Sequence, residues 1–135
     1  MKALINANII SDFFLSKGIT ETDKIFGLIY KEKVKAFVTA KCIADVYCIM
    51  SKERDESSAR HAVEHLLKLF SVVSVDHKDC ADALNLPILN FEDALVVVCA
   101  IKEHIDCIVT NDEVLLQMDL PFIKVINSTG FLDML

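Results

Sequence analysis

Short apolar runs alternate along this chain with longer segments whose apolar residues recur at helical spacing. KALI, residues 2–5, reads as a short buried strand. The helix expected next, IISDFFLSK, starts from an Asn8 cap and stops at Gly18. In ETDKIFGLIYKEK, Ile25, Leu28 and Ile29 share one face, and a cationic stretch closes the helix. KAFVT is a second strand, and in AKCIADVYCIMSK the residues Ile43, Val46, Tyr47 and Met50 form an apolar stripe. After the charged break KERDES, residues 57–70 read as a long amphipathic helix, VVSV as a third strand and KDCADALNL as a helix running up to Pro87. FEDALVVVCAIKEH is a strongly apolar helix, DCIVT a fourth strand, NDEVLLQM a short helix and FIKVI a fifth strand ahead of STGFLDML.

Strands that alternate with helices predict a three-layer α/β/α sandwich around a mostly parallel sheet of about five strands. With 135 residues, no internal repeat and no low-complexity tract, residues 1–135 read as one domain with a sizeable core. Hydrophobic residues make up 53% and mean hydropathy is +0.42, which excludes disorder. No stretch approaches the ~18–20 apolar residues of a membrane span. Met1 leads into a strand-like segment rather than a signal peptide, so the expected location is the cytoplasm, with no membrane partner.

The five cysteines, Cys42, Cys48, Cys80, Cys99 and Cys107, have no zinc-like spacing and read as buried, reduced thiols. A net charge of −6 offers no broad basic face for nucleic acid, so any RNA contact must be local or helped by bound cations.

Chemistry-bearing residues collect where strands end. In a parallel sheet the residues after the strands, and those opening the following helices, converge on the carboxyl edge. Asn6 and Asn8 follow strand one, Asp45 lies on the helix after strand two, Asp93 opens the apolar helix and Asp112 follows strand four. Such oxygen donors suit Mg²⁺ or Mn²⁺, and a cluster of this kind suits phosphodiester hydrolysis by metal-activated water. Each residue also has a structural reading: Asn8, Asp93 and Asp112 as helix caps, and Asp45 as half of a salt bridge.

The ordered set of motifs resembles the PIN domain, the metal-dependent nuclease fold shared by VapC-type toxins of toxin–antitoxin pairs. INANIISD resembles the family's opening, Ile-Asp-Thr/Ala-Asn-Val-Ile-Leu-Asp, and CIADVYCIM its second motif, with the acid at Asp45. NFEDA resembles Asp-Phe-Glu-Asp-Ala and puts the central acid at Asp93; IVTND resembles the fourth motif and puts an acid at Asp112. The resemblance implies an endoribonuclease whose Mg²⁺ or Mn²⁺ is held by Asp45, Asp93, Asp112 and the Asn6 position. Asn8 and Thr110 would orient the substrate. It also implies an antitoxin partner and a homodimer, and so apolar a chain independently suggests self-association.

The departures from the pattern all remove negative charge or add a positive one. Asn6 stands where the family has its first acid, Asn90 opens the third motif in place of Asp, and Leu115 occupies the place of a further acid. Lys41 replaces a small hydroxyl residue at i−4 from Asp45; it either directs its ammonium to solvent or pairs with that carboxylate. One missing unit charge at ~2–3 Å from a divalent ion is worth several kcal/mol even at an effective dielectric of ~20. An aspartate replaced by Asn on its own would account for Asn6, whereas Asn90, Lys41 and Leu115 favour a site degenerate throughout. The sequence therefore carries two readings: a ribonuclease impaired at Asn6, or a catalytically silent PIN fold that binds an antitoxin or RNA. A response-regulator receiver domain also places acids at strand tips, but INAN supplies no acidic pair and Lys124 lies within its strand.

Overall fold

A computed structural model describes residues 1–16, 18 and 20–135. Five strands, β1 (Lys2–Ile5), β2 (Lys35–Thr39), β3 (Ser71–Val73), β4 (Cys107–Val109) and β5 (Lys124–Ile126), form one sheet in the order β3-β2-β1-β4-β5. All four pairings are parallel, so the sheet described is parallel throughout rather than mostly so. The helices are α1 (Ala7–Leu15), α2 (Glu21–Tyr30), α3 (Ala40–Glu53), α4 (Glu56–Leu69), α5 (His77–Leu84), α6 (Phe91–Lys102), α7 (Glu113–Leu116) and α8 (Ser128–Asp133).

Strand alternation divides the core in two. Ala3, Ile5, Ala36, Val38, Cys107 and Val109 point to one face, where α1 to α4 and α8 bring Ile9, Phe26, Val46, Leu66 and Phe131 against them. Leu4, Phe37 and Ile108 point to the other face, covered by α5, α6 and α7 through Ala83, Val97 and Leu115. Both faces are thus buried, as an all-parallel sheet requires.

Helix starts differ from the sequence expectation in one way that matters for function. The cap of α1 is Asn6 rather than Asn8: Asn6 has extended backbone (φ −77°, ψ 157°) and its side-chain oxygen accepts from the Ala7 N–H at 2.9 Å. β1 hands over to the helix after a single residue, so Asn8 is already helical. At its far end α1 stops at Leu15; the expected extension to Lys17 lies outside the described residues. Helix α2 ends at Tyr30, before its cationic stretch, where Lys31 and Lys33 donate backbone bonds to Gly27 and Leu28 and turn the chain toward β2. Strand β3 begins one residue earlier than expected and is shorter, and α5 starts at His77, behind an Asp76 cap matched by Asp79.

One ion pair, between a buried carboxylate on α5 and an exposed lysine on α6, ties this second layer together. Asp79, 3% exposed, accepts from Lys102 Nζ on α6 at 2.7 Å and from the Asp76 N–H at 3.0 Å. The Lys102 ammonium foremost, aided by the Asp76 N–H, holds the Asp79 carboxyl below its ordinary range, and Asp79 in turn raises Lys102. Because the Asp79 pKa is depressed on folding, its contribution is present above the ordinary carboxylate pKa and is lost as pH falls through the depressed value. Lys102→Met is expected to cost about 2–3 kcal/mol at neutral pH, since it strands a buried carboxylate. Urea unfolding across a pH series should show most of that difference disappearing in acid.

Candidate functional site

The carboxyl edge of the sheet holds a cleft of about 420 Å³. Ile5 pairs with Val109, so Asn6 and Thr110 leave the sheet side by side. Asn6 and Asn8 line the cleft from α1, Thr39, Lys41, Asp45 and Cys48 from the end of β2 and from α3, Glu92 and Asp93 from α6, and Asp112 from the turn after β4. Five of the six sequence-chosen residues, Asn6, Asn8, Asp45, Asp93 and Asp112, therefore meet in one cleft. The sixth, Thr110, is fully buried behind it. A larger cleft, about 600 Å³ between α1, α3 and α4, gathers none of these residues.

Four helices begin at this edge, each with a polar cap. Besides Asn6, Thr39 accepts from the Cys42 N–H at 3.0 Å, Asn90 from the Asp93 N–H at 3.0 Å and Asp112 from the Val114 N–H at 3.0 Å. Asp112 thus fulfils its expected capping role, whereas Asp93 is capped by Asn90 and sits in the first turn of α6. The amino ends of α1, α3 and α6 give the cleft a favourable potential for anions, which offsets part of the cost of crowding acids there.

Thr110 is the hub of the polar network. Its hydroxyl oxygen accepts from Asn6 Nδ2, Asn8 Nδ2 and the Asp112 N–H, each at 3.1 Å. Asn8 Oδ1 also accepts from the Asn111 N–H at 3.3 Å. Three donors surround an oxygen with two lone pairs, so Thr110 is saturated as an acceptor. Both amides therefore turn nitrogen inward, and the Asn6 oxygen is taken by its own helix.

The acids differ in their surroundings. Lys41 Nζ lies 2.7 Å from Asp45 Oδ2 and 3.6 Å from Glu92 Oε1, which settles the open question of where that lysine points. The hydrogen bond from Asp45 foremost raises the Lys41 pKa. Asp93 is 8% exposed, and burial foremost, then the neighbouring Asp112 and Glu92 charges, pushes its carboxyl pKa up. Leu115, the place of the further acid, is fully buried in the core and does not face the cleft.

Thiol chemistry is disfavoured by burial. It pushes Cys42 up to about 12, and both Cys99 and Cys107 to about 11. Cys48 departs from the expectation of buried thiols: it is exposed, on the cleft wall, and Cys80 is half-buried. Sequence reasoning had left Thr39, Cys48 and Glu92 out of the site. Thr39 carries a readable signal, a hydroxyl residue between a strand and a helix, and Glu92 adjoins Asp93.

A family model for the PIN domain matches residues 2–113. The chain belongs to the PIN domain family. Its fold is also that of several solved structures. VapBC2 from Rickettsia felis, bound to a DNA fragment from its promoter, aligns at a TM-score of 0.72 and 15% identity over 94% of this chain and 98% of that one. A toxin–antitoxin complex from Klebsiella pneumoniae aligns at 0.68 and 17% identity, covering 90% and 94%. VapC20 of Mycobacterium tuberculosis, a sarcin-ricin loop cleaving toxin, aligns at 0.66 and 12% identity, covering 84% and 92%. No curated protein matches the sequence significantly. Among the described residues, no helix is long and apolar enough to cross a membrane.

The PIN family implies a divalent cation, and the residues present here do not fit one. Among the described residues, no three His, Cys, Asp or Glu side chains are grouped so as to hold a metal ion. At the first motif the Asn6 oxygen brings no formal charge and already accepts from the Ala7 N–H, and at the second the Asp45 carboxylate is paired through Oδ2 with an ammonium. Asp93 and Asp112 remain, and Asp112 spends one oxygen on the Val114 N–H.

Two substitutions test this account of the site, both read by urea unfolding. Thr110→Val should destabilise the fold by about 2–3 kcal/mol, because it removes the acceptor shared by three N–H groups. Asp93→Asn should stabilise it by about 1 kcal/mol at neutral pH, as relief of an uncompensated site charge commonly does.

Proposed function

We propose that this PIN domain acts as a catalytically silent, toxin-like module that holds an antitoxin-like protein partner. The observation that carries the reading is the Asn6 side chain. At the tip of the central strand it contributes no formal charge, and its oxygen is turned to the Ala7 N–H while its nitrogen faces Thr110. A site built to activate water on a cation needs anionic oxygen at that position, and one missing unit charge outweighs what a neutral amide restores.

The comparisons support a protein partner. Among the fold's solved relatives are the VapBC2 assembly of Rickettsia felis and the Klebsiella pneumoniae toxin–antitoxin complex. In this chain exposed apolar side chains, among them Leu89, Phe91 and Val114, lie within two residues of Asn90, Glu92 and Asp112 in sequence. They give a partner apolar surface beside a polar cleft. The same kind of surface, at Leu84 and Ile101 on α5 and α6, suits a homodimer.

A second reading, the metal-dependent endoribonuclease, is favoured by one observation: the pKa of Asp93 is raised partly by Asp112, a repulsion that Mg²⁺ or Mn²⁺ would relieve. In that reading Asp45, Asp93, Asp112 and Asn6 hold the cation, and Asn8 and Thr110 orient RNA. The two readings part in an RNA cleavage assay with Mn²⁺, run on the wild-type chain and on Asn6→Asp. The silent module predicts no cleavage by the wild type above a metal-free control. Mn²⁺-dependent cleavage by the wild-type chain overturns it.

A further inference from the structure

We propose that Lys41 is the resident cation of this cleft: its ammonium, tethered on α3 between Asp45 and Glu92, holds the two acids a divalent ion would meet on that wall and competes with the ion. The inference deepens the silent-module reading and rests on it.

Lys41 is the only basic side chain on a cleft wall that also carries Asp45, Glu92, Asp93 and Asp112, among the described residues. Its ammonium contacts Asp45 at 2.7 Å and reaches Glu92 at 3.6 Å, so it spans α3 and α6, the two elements that supply most of the acids. Its place on α3 is unfavourable on local grounds. It is the second residue of the helix, where the aligned peptide dipoles repel a cation and favour an acid, and the first turn of α3 contains no acid. The acids one turn on and across the cleft compensate for that position.

A tether also changes the competition. A side chain four residues from its partner is present at the site at a high effective concentration, so a free cation must displace an ammonium that never leaves the neighbourhood. Lys41 is only half-buried and its stem is flexible, so displacement is costly rather than forbidden. If Asn6 alone were restored to an acid, the new carboxylate would still share its cleft with that ammonium. Metal binding should therefore require two changes, and neutralising Lys41 should matter most once the first acid is back. The cleft as it stands should respond to neither Mg²⁺ nor Mn²⁺.

The experiment is Mn²⁺ titration, by calorimetry and by the electron paramagnetic resonance of free Mn²⁺, with thermal unfolding at each metal concentration. The proteins are the wild-type chain, Lys41→Arg, Asn6→Asp, Asn6→Asp/Lys41→Gln and Asn6→Asp/Lys41→Arg. The wild type and Lys41→Arg should show no saturable site at millimolar Mn²⁺ and no rise in Tm. Asn6→Asp/Lys41→Gln should bind at least about 10-fold more tightly than Asn6→Asp and gain Tm with metal, whereas Asn6→Asp/Lys41→Arg should not. Asn6→Asp/Lys41→Ser serves if the Gln variant shows no cooperative melt.

Saturable submillimolar binding by the wild type overturns the inference. So does equal affinity of Asn6→Asp and both of its Lys41-neutralised forms. Wild-type Mn²⁺ binding without RNA cleavage would remove the tethered cation and leave the silent module standing. Cleavage that persists in chelator would remove the silent module and leave the tethered cation standing.

Discussion

An all-parallel sheet constrains this molecule more than any single contact. Parallel neighbours cannot be joined by tight turns, so the chain must climb back over a face of the sheet between strands, and each return begins at the carboxyl edge. The amino ends of α1, α3, α6 and α7 accordingly open onto one cleft with Asn6, Thr39, Asn90 and Asp112 as caps. The sheet order places β1 between β2 and β4, so the chain leaves the central strand toward one side and returns from the other. That is where the edge of an open α/β sheet forms a crevice. The site is thus a consequence of connectivity, and its chemistry is decided by which side chains stand at the caps and one turn beyond them.

Asn6 and Lys41 act on that chemistry with different strengths. Relative to an aspartate, Asn6 lacks a full negative charge, a difference worth several kcal/mol to a divalent ion at ligand distance. Lys41 adds a positive charge, but its ion pair with Asp45 is partly exposed, and such pairs contribute about 1 kcal/mol or less to stability. The lysine matters less as a stabilising contact than as a charge that any cation at Asp45 must meet. Asn6 accounts for the larger charge difference, and Lys41 shifts the charge of the cleft in the same direction. The bonds at Thr110 add a third element: both amides and one backbone N–H converge on one hydroxyl oxygen, which ties the first and fourth motifs together.

Much of this was legible in the sequence. Each strand was found from its apolar run, and the four motifs led to five side chains that share one cleft. The errors follow from what one-dimensional patterns omit. Asn8 and Asn6 are both good capping residues, and only the abrupt passage from β1 into α1 selects Asn6. Leu115 stands at a vacated acid position by sequence offset, yet on α7 it faces the core. The partner of Lys41 stayed open because i,i+4 spacing permits a pair without requiring it; Glu92, brought across from α6, makes the bridged position favourable. Cys48 has apolar sequence neighbours but falls on the cleft side of α3, where periodicity alone gives no warning of exposure.

Asp93 is the acid least favoured by its surroundings, since a carboxylate 8% exposed beside two other acids opposes folding. Its local setting reduces that cost. It lies in the first turn of α6, at the positive end of the helix dipole, and its own N–H is engaged by the Asn90 cap. Asn90 satisfies that N–H with a neutral oxygen where an aspartate would add a further negative charge to a crowded edge. Asn90 therefore caps α6 without adding to the charge around Asp93. The same logic applies at Asn6, where an amide still caps α1 and still reaches Thr110. At both positions an amide caps its helix, as an aspartate can, without adding a negative charge to the crowded edge.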